Sequence, residues 1–334
     1  MSKPLEATTG TGAAAPAPAL PASRFRPQLR LIGPIIIVPI LVLVFTILNP
    51  RFLYPENLLN IVSAAAVLMI LATAQTFVII MGSIDLSVGS VVTLTGVSAA
   101  LLLQQYGAIG LLIVPVIGLV AGAINGALFA FVKLPSFLVT LGTLYAFNGI
   151  SLFISNGAST PLPQEAPLSD VFGGNIGPFP RIVLWAVLVL LLAAVVLQKT
   201  RFGRYTYVLG GGEAVGKLSG VPVQRHKFWV FVLAGVLASF GGLLLMFRIN
   251  GSGPDMGESF LLPTIAAVVM GGTPLTGGVG GPFRTVLGVL IITILTNGMT
   301  LANVHPFLQI VVQGTVVILA VAISMDRTRV GLIK

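Results

Sequence analysis

The chain has 334 residues, of which 56% are hydrophobic and 8% are charged, and its mean hydropathy is +1.04. Since soluble domains carry about 25% charged residues, this composition excludes a water-exposed globular protein and predicts a protein of the lipid bilayer. Cysteine is absent and histidine occurs only as His226 and His305, which excludes a disulfide framework or thiolate nucleophile and argues against a zinc centre.

The first 30 residues differ from the rest of the chain. Residues 7–23 (ATTGTGAAAPAPALPAS) form a low-complexity segment with too few large apolar side chains to build a core. Arg24, Arg26 and Arg30 then precede the apolar run 31–48, which is longer than the core of a cleaved signal peptide. We therefore predict a disordered cytoplasmic tail over 1–30, a transmembrane domain over 31–326 that begins with an uncleaved span, and a cytoplasmic tail over 327–334.

Apolar windows of about 20 residues match a helix that crosses a hydrocarbon core of roughly 30 Å. The sequence contains ten candidates, at 31–48, 60–81, 88–104, 108–132, 137–155, 182–198, 229–248, 259–271, 285–302 and 308–325. These windows predict an all-α polytopic membrane protein with about ten transmembrane helices. The eighth window, 259–271, is short for a complete crossing.

Lysine and arginine near the windows predict the orientation, because cytoplasmic loops carry an excess of both. With ten crossings and a cytoplasmic N-terminus, only Arg51, Arg181 and Arg248 lie outside, and the other 15 of the 18 cations lie in the cytoplasm. If 259–271 did not cross, Arg284 and the cations of the C-terminal tail would lie outside instead. We therefore predict ten crossings with both termini cytoplasmic, and the net charge of +9 reflects topology and not a nucleic-acid partner.

The longest predicted cytoplasmic loop, 199–227, contains a near match to a phosphate-binding loop, Gly211-x-x-x-x-Gly216-Lys217 after the strand-like stretch 205–209. Leu218 occupies the position of the Ser or Thr that would hold magnesium. The loop is also too small for a nucleotide-binding domain, which needs on the order of 100 residues. We therefore expect no bound ATP or magnesium, and predict a short amphipathic helix over 213–218. Docking into a cytoplasmic protein and lying on the membrane surface are both open for this helix.

Two segments share a pattern, MGSIDLSVG at 81–89 and MGGTPLTGG at 270–278. The match aligns Ser87 with Thr276 and predicts two related halves. Glycine and proline interruptions of apolar segments are typical of a transporter's pathway or gate, although tight turns between spans are an equal alternative. Asp85 is the one acid within membrane reach; the start of the third span favours a helix-capping role for Asp85 and Ser87 over a proton relay.

Polar and aromatic side chains are sparse in the remaining spans, which suits an uncharged, polyhydroxylated solute. Candidates for the pathway, together with Asp85, Ser87 and Thr276, are Gln75, Asn125, Phe147, Asn148, Asn297 and Gln313. For each amide, hydrogen bonding between helices is the alternative to solute contact. The outer loop 155–180 is rich in proline and glycine, which fits a free surface loop; the resemblance described below implies the alternative, contact with a soluble binding protein.

Four segments carry a resemblance to a known family: GSIDLSVGSVVTLTG (82–96), LPSFLVTLGTLYAFNGISL (134–152), TRFGRYTYVLGGGEAVGKLSGV (200–221) and TIAAVVMGGTPLTGGVGG (264–281). The chain resembles the monosaccharide permeases of bacterial ABC importers, the ribose/xylose/galactose type, from about residue 34 to 325. It departs from the family pattern at Gly211-Gly212, often Gly-Asn, and at GTPLTGG, often GTSLSGG.

The resemblance implies the biological setting. It implies that the segment 212–220 is a coupling helix for a separate ATPase, which would bind the ATP and magnesium; the coupling residues are then Gly212, Glu213, Ala214, Lys217, Ser219 and Gly220. It further implies a soluble solute-binding protein, a second permease copy in a homo- or heterodimer, and a location in the bacterial inner membrane. Alternatives are an ABC permease for nucleosides or amino acids and an ion-coupled secondary transporter, for which Asp85 alone is thin support.

Overall fold

The computed structural model describes residues 26–163 and 166–324, with the side chains of 33–163 and 166–322. The predicted tails lie almost entirely outside the described residues, so their predicted disorder and the domain boundaries stay predictions. Within the described part of the chain the structure is mostly helical, as expected for a polytopic helical membrane protein.

The α-helices of the described residues are α1 (Arg26–Leu48), α2 (Pro55–Ile80), α3 (Val88–Tyr106), α4 (Val114–Ala130), α5 (Ser136–Ser155), α6 (Ser169–Gly173), α7 (Ile182–Lys199), α8 (Arg201–Gly211), α9 (Glu213–Leu218), α10 (Val223–Arg248), α11 (Leu261–Met270), α12 (Pro282–Leu301) and α13 (Pro306–Ser324). Three 3₁₀ segments are η1 (Pro50–Leu53), η2 (Gly107–Ile113) and η3 (Glu258–Phe260). Two-residue strands form two antiparallel pairs, β1 (Thr160–Pro161) with β4 (Gly251–Ser252) and β2 (Asn175–Ile176) with β3 (Phe179–Pro180).

Six helical runs are long and apolar enough to cross a membrane: α2, the run Val88–Ala130, α5, α7, α10 and α12. The run Val88–Ala130 contains both α3 and α4, and η2 turns the chain back between them. A Cβ on Gly110 would lie 2.9 Å from the Leu102 carbonyl carbon. In a straight helix, residues 102 and 110 would be about 12 Å apart along the axis. Shorter apolar helices cover Gly33–Leu48, Glu258–Met270 and Pro306–Ala322. Each predicted window thus contains a helix, although α10 begins at Val223, ahead of the predicted 229.

Helix α2 is the centre of the fold. Every side chain from Ala65 to Ile80 is buried, as expected for a helix that is apolar on all sides. Helix α12 runs antiparallel to it and is bonded to it near both ends. The Thr76 and Thr285 hydroxyls are 2.8 Å apart, and the Asn57 and Asn297 amides bond to each other reciprocally at 3.1 and 3.0 Å.

Glycines bring α4 against α10. Gly118, Gly122 and Gly126 repeat every four residues on one face of α4, the spacing that lets two membrane helices approach closely. A Cβ on Gly122 would overlap the Phe231 carbonyl oxygen, and one on Gly126 would lie 2.7 Å from the Phe228 carbonyl oxygen. Small residues on this face therefore set the distance between the two backbones.

We expect Gly122→Val to destabilise the protein by about 1–3 kcal/mol or more, because the added side chain must push α4 away from α10. The effect would be measured as a lower midpoint of thermal unfolding in detergent. Gly142→Val is the matched control, since nothing lies within 4 Å of a Cβ at Gly142 on α5. An equal shift in both variants would contradict close packing as the cause.

The segment before α11 reaches deep into the protein without being helical. Gly251 pairs with Pro161, whose carbonyl accepts a 2.9 Å bond from Gln104 at the end of α3. The Gly257 N–H donates to Thr93 Oγ1 at 3.0 Å near the start of α3. Residues 251–257 therefore run beside α3 in the opposite direction, and α11 contributes only its 10 residues.

The ends of α2 and α11 have the same geometry. The N–H groups of Met81, Gly82 and Ser83 bond back four, three and five residues, and those of 271–273 do the same. Gly82 and Gly272 both have positive φ, +80° and +91°, as the residue after such a helix end requires. The structure thus equates Gly82 with Gly272. The letter match had placed Gly82 opposite Gly271, one residue earlier. After these helix ends the two loops differ in length, since α3 begins at Val88 and α12 at Pro282, so the alignment of Ser87 with Thr276 stays a prediction.

Candidate functional site

The two interrupted segments meet each other and α8. The Gly278 N–H donates to the Ile80 carbonyl at 2.8 Å, and a Cβ on Gly277 would lie 2.7 Å from the Gly82 nitrogen. From α8, a Cβ on Gly210 would overlap both the Ile80 carbonyl oxygen and the Gly278 nitrogen. We call residues 81–87 and 271–281 the paired loops. Because Gly210, Gly277 and Gly278 have no side chain, the backbones of these loops and of α8 can approach each other closely.

A tyrosine adds a directional bond to this junction. The Tyr207 hydroxyl on α8 donates to the Gly280 carbonyl at 2.9 Å. Burial raises the pKa of Tyr207, so the phenol keeps its proton and remains a donor at neutral pH. The loop 271–281 therefore contacts α8 in two ways, by close packing at Gly210 and by the hydrogen bond from Tyr207, and a displacement of α8 would disturb both contacts.

The segment that nearly matches a phosphate-binding loop joins two helices, α8 before Gly212 and α9 after it. Residues 205–209, whose composition is strand-like, belong to α8, which agrees with the rejection of a phosphate-binding loop. The predicted helix over 213–218 is α9, which begins after Gly212 (φ +146°) and ends at Ser219. Gly216 is buried, and a Cβ there would lie 2.5 Å from Leu209 Cδ2, so α9 folds back onto α8 through a glycine.

An ion-pair cluster holds α9 in place. The Glu213 carboxylate receives Lys217 Nζ at 3.1 Å and Lys227 Nζ, from the first turns of α10, at 2.6 Å. Hydrogen bonds from Lys227 and then Lys217 hold the pKa of Glu213 below its usual range. The carboxylate is therefore ionised throughout the neutral range, and α9 stays tied to α10.

The rest of the α9 surface is exposed. Glu213, Ala214, Lys217, Ser219 and Gly220 are all exposed, and Gly212 is half-buried, so the structure brings the six predicted coupling residues together on one projection. At its tip Leu218 is 91% exposed, and Val215 is 55% exposed. Exposed aliphatic side chains on a short, anchored helix are suited to insertion into a pocket of another protein.

A second cluster is a buried polar chain that joins α4 and α5 to the first of the paired loops. Asp85 Oδ1 accepts from the Ser87 hydroxyl at 2.6 Å, Asn125 Nδ2 donates to Ser87 Oγ at 2.8 Å, and Thr143 Oγ1 donates to Asn125 Oδ1 at 2.7 Å. Gln75 Nε2 donates to the Asp85 carbonyl at 3.3 Å. All five side chains are buried. The structure thus gathers four predicted pathway residues, Gln75, Asp85, Ser87 and Asn125, in one network.

Asp85 and Ser87 stand at the start of α3, where a capping role was favoured. Ser87 is the residue before the helix, yet its side chain makes no capping bond. Asp85 Oδ1 instead accepts the Ser87 N–H at 2.8 Å, which stabilises the turn that leads into the helix. Within the described residues, Asp85 has no cation partner.

We expect Asp85→Asn to keep solute uptake within about two-fold of the wild type, because an amide oxygen still accepts both bonds from Ser87. Asp85→Ala leaves the buried N–H without an acceptor and should lower the unfolding midpoint. Uptake into vesicles and thermal unfolding would be measured, with Asp255→Asn as control because Asp255 is exposed. Loss of uptake in Asp85→Asn at an unchanged midpoint would contradict a structural role and support a proton relay.

The other predicted pathway residues do not join this chain. Asn297 bonds Asn57, which lies 18 residues (about 27 Å) along α2 from Gln75, and Gln313 Nε2 reaches Thr296 at 3.5 Å. Phe147 is buried in the apolar core, and Thr276 is exposed on the second paired loop. Asn148 Nδ2 donates to Glu258 at 3.4 Å, while its buried Oδ1 has no partner among the described residues.

Sequence reasoning missed the polar face of α5. Thr140 Oγ1 accepts the Leu86 N–H at 3.0 Å, Ser136 Oγ accepts the Ile84 N–H at 3.3 Å, and Thr143 completes the chain to Asn125. These three residues follow each other at spacings of four and three, which places them on one helix face. That spacing was the available signal.

The fold and the site together define a polytopic helical membrane protein with a buried polar network and an anchored external helix. The chain belongs to the family BPD_transp_2, described as branched-chain amino acid transport system / permease component, which matches residues 57–321. No solved structure matches the chain.

Named relatives are permeases. The ribose import permease RbsC of Bacillus subtilis (strain 168) is 37% identical over 306 residues, 89% of this chain and 93% of that protein. The probable ABC transporter permease YphD of Escherichia coli (strain K12) is 37% identical over 300 residues, 89% and 90% of the two chains. The galactose/methyl galactoside import permease MglC of Salmonella typhimurium is 33% identical over 312 residues, 87% and 93%.

These relatives confirm the resemblance predicted from the sequence. The chain is a membrane permease subunit of the ABC importer class and a multi-pass protein of the bacterial inner membrane. Permease components are transport subunits and not enzymes.

Proposed function

We propose that this chain forms the translocation pathway for a monosaccharide or a similar small, uncharged, polar solute. The observation that carries the proposal is the similarity to ribose and galactose import permeases over more than four fifths of the chain. The groups around Asn125 are of the kind that sugar hydroxyls bond, but in this structure they bond one another between helices.

The charge distribution favours an uncharged solute. Every lysine and arginine of the long described helices lies within five residues of a helix end, as Lys227 and Arg284 illustrate. The interior of the described helices therefore offers no cation for the carboxylate of an amino acid. This observation weighs against the amino-acid alternative that the family description raises.

For the topology we propose ten crossings with both termini in the cytoplasm. The eighth crossing is discontinuous: residues 251–257 descend beside α3, and the 10-residue α11, about 15 Å long, completes the path to the paired loops. Irregular backbone is tolerated at membrane depth when it is buried in protein. The α9 side carries Lys133, Lys199, Arg201, Arg204, Lys217, Arg225, Lys227 and Arg284, against Arg51, Arg181 and Arg248 on the other, as expected for a cytoplasmic α9.

For energy coupling we propose that α9 docks into a separate ATPase, which binds the ATP and magnesium. Leu218 and Val215 supply the exposed apolar contact, and Glu213 anchors the helix. A movement of α9 passes to α8 through Gly216 and from α8 to the paired loops through Gly210 and Tyr207. We propose these loops as the cytoplasmic gate.

On the outer side we propose that the segment 155–180 receives a soluble solute-binding protein. Its hairpin β2–β3 exposes Ile176 (53%) and Phe179 (64%), and Arg181 bonds Asp170 at its base. A second permease copy, identical or related, would complete the pathway.

Uptake of radiolabelled solute into proteoliposomes tests the function. The permease, its ATPase and a solute-binding protein would be reconstituted, and ribose, galactose, a nucleoside and leucine compared. We expect sugar uptake that requires ATP. Uptake driven by an ion gradient without ATP would overturn the importer mechanism, and uptake of leucine alone would overturn the solute class.

A further inference from the structure

A basic groove lies beside α9, apart from the polar network and the paired loops. Its volume is about 700 Å³, and its walls are the end of α4, the α4–α5 turn, α9 and the start of α10. Four cations line it, Lys133, Lys217, Arg225 and Lys227, together with the single acid Glu213. We propose that this groove binds the headgroup of an anionic phospholipid.

The charge of the groove is not balanced by the protein. Glu213 is already paired with Lys217 and Lys227, at 3.1 and 2.6 Å. Among the described residues, Lys133 and Arg225 have no acid partner. The lining therefore carries four positive charges against one negative charge, and an anionic ligand relieves their mutual repulsion.

The backbone holds one of these cations in an unusual conformation. Lys133 has φ +65°, a left-handed conformation that is uncommon for a residue with a long side chain and occurs mostly in glycine and asparagine. Lys133 lies in the short turn between α4 and α5. The two residues that follow it, Leu134 and Pro135, also line the groove. Such strained positions are concentrated at ligand-binding sites.

Exposed apolar side chains place the groove at the edge of the bilayer. Phe131 and Val132, which immediately precede Lys133, are 52% and 59% exposed. Trp229, two residues after Lys227, is 54% exposed, and tryptophan is enriched where the headgroups begin. Acyl chains cover these side chains in the membrane, and basic pockets at this level suit acidic headgroups. A soluble phosphate would meet the cations but leave the apolar surface uncovered.

The inference is independent of the transported solute and of which side of the membrane is cytoplasmic. A phosphodiester meets Lys133 and Arg225, and its acyl chains lie against the neighbouring apolar residues. The lipid would thereby brace the start of α10 and the turn before α5, next to the base of α9.

Native mass spectrometry of the full chain in detergent tests the proposal. Phosphatidylglycerol, phosphatidylcholine and inorganic phosphate would be titrated separately, with phosphatidylglycerol expected to bind most tightly. Lys133→Gln and Arg225→Gln should each weaken its binding about five-fold and together roughly 25-fold. Arg204→Gln removes the same charge from an exposed position outside the groove and should change binding less than two-fold.

Four outcomes would overturn the proposal. Unchanged phosphatidylglycerol binding in the groove variants would show that the lipid binds elsewhere, and an equal loss in Arg204→Gln would show attraction to net charge alone. Inorganic phosphate binding as tightly as the lipid would identify a soluble anion as the ligand. The titration would be repeated with the ATPase bound; displacement of the lipid would assign the cations to the ATPase interface. If the double variant does not fold, each single variant carries the test.

Discussion

Leu218→Asp is expected to abolish association with the ATPase and lower solute uptake by at least about ten-fold, while the permease itself stays folded. Leu218 is 91% exposed at the tip of α9 and contributes little to the permease's own packing. A buried carboxylate in the docking pocket would be unpaired, which is strongly unfavourable. Co-purification of the ATPase and ATP-driven uptake in proteoliposomes would measure the effect.

Ile176→Asp is the matched control for association, because Ile176 is also an exposed aliphatic residue but lies on the β2–β3 hairpin away from α9. We expect it to leave co-purification of the ATPase unchanged. If Leu218→Asp retained the ATPase at wild-type levels, the docking role of α9 would be wrong, and the alternative of a helix lying on the membrane surface would stand.

Gly210→Ala is the second change with a large expected effect. The single added methyl group would overlap the Ile80 carbonyl oxygen and the Gly278 nitrogen, so α8 must separate from the end of α2 and from the loop 271–281. Because these contacts are backbone atoms, no side-chain rotation relieves them. We expect uptake to fall by about ten-fold or more while the ATPase still binds, since α9 itself is unaltered.

The neighbouring glycine provides a control of the same chemistry. Gly211→Ala adds the same methyl group on the same helix, but nothing lies within 4 Å of it. Uptake by this variant should equal that of the wild type. Similar losses in Gly210→Ala and Gly211→Ala would mean that helix α8, and not its contact with the paired loops, is what the substitutions disturb.

The sequence predicted features that depend on local chemistry. Helix α9 has the predicted bounds 213–218, because Gly212 before it and Ser219-Gly220 after it are signals that act within one turn. The apolar windows likewise contain helices, since a run of apolar residues in a polytopic chain has few other conformations. In contrast, residues 205–209 joined a helix, because their packing against neighbouring elements outweighed a weak preference for strand.

Features that depend on helix rotation could not be read from the chain. The predicted residues Asn125 and Ser87 bond each other, yet Thr143 and Thr140 were overlooked. Their spacing shows that they share a face of α5, but a single sequence does not show that this face meets α4 and the loop 81–87. The sequence match between the two loops paired Gly82 with Gly271, whereas the backbone geometry pairs Gly82 with Gly272. Identical residues in two segments do not reveal backbone φ angles, which is why the sequence did not show this. The non-helical segment 251–257, which runs beside α3, has no periodic pattern of apolar residues from which its path could be predicted.

Hydrogen bonds at two places between α2 and α12 restrict how the transporter changes shape. The reciprocal amide bonds of Asn57 and Asn297 join the helices near one end, and the Thr76 and Thr285 hydroxyls join them near the other. Sliding or twisting of one helix along the other would break the bonds at both ends at once. We therefore expect α2 and α12 to move as one unit during transport, with the change of shape occurring in the elements packed around them.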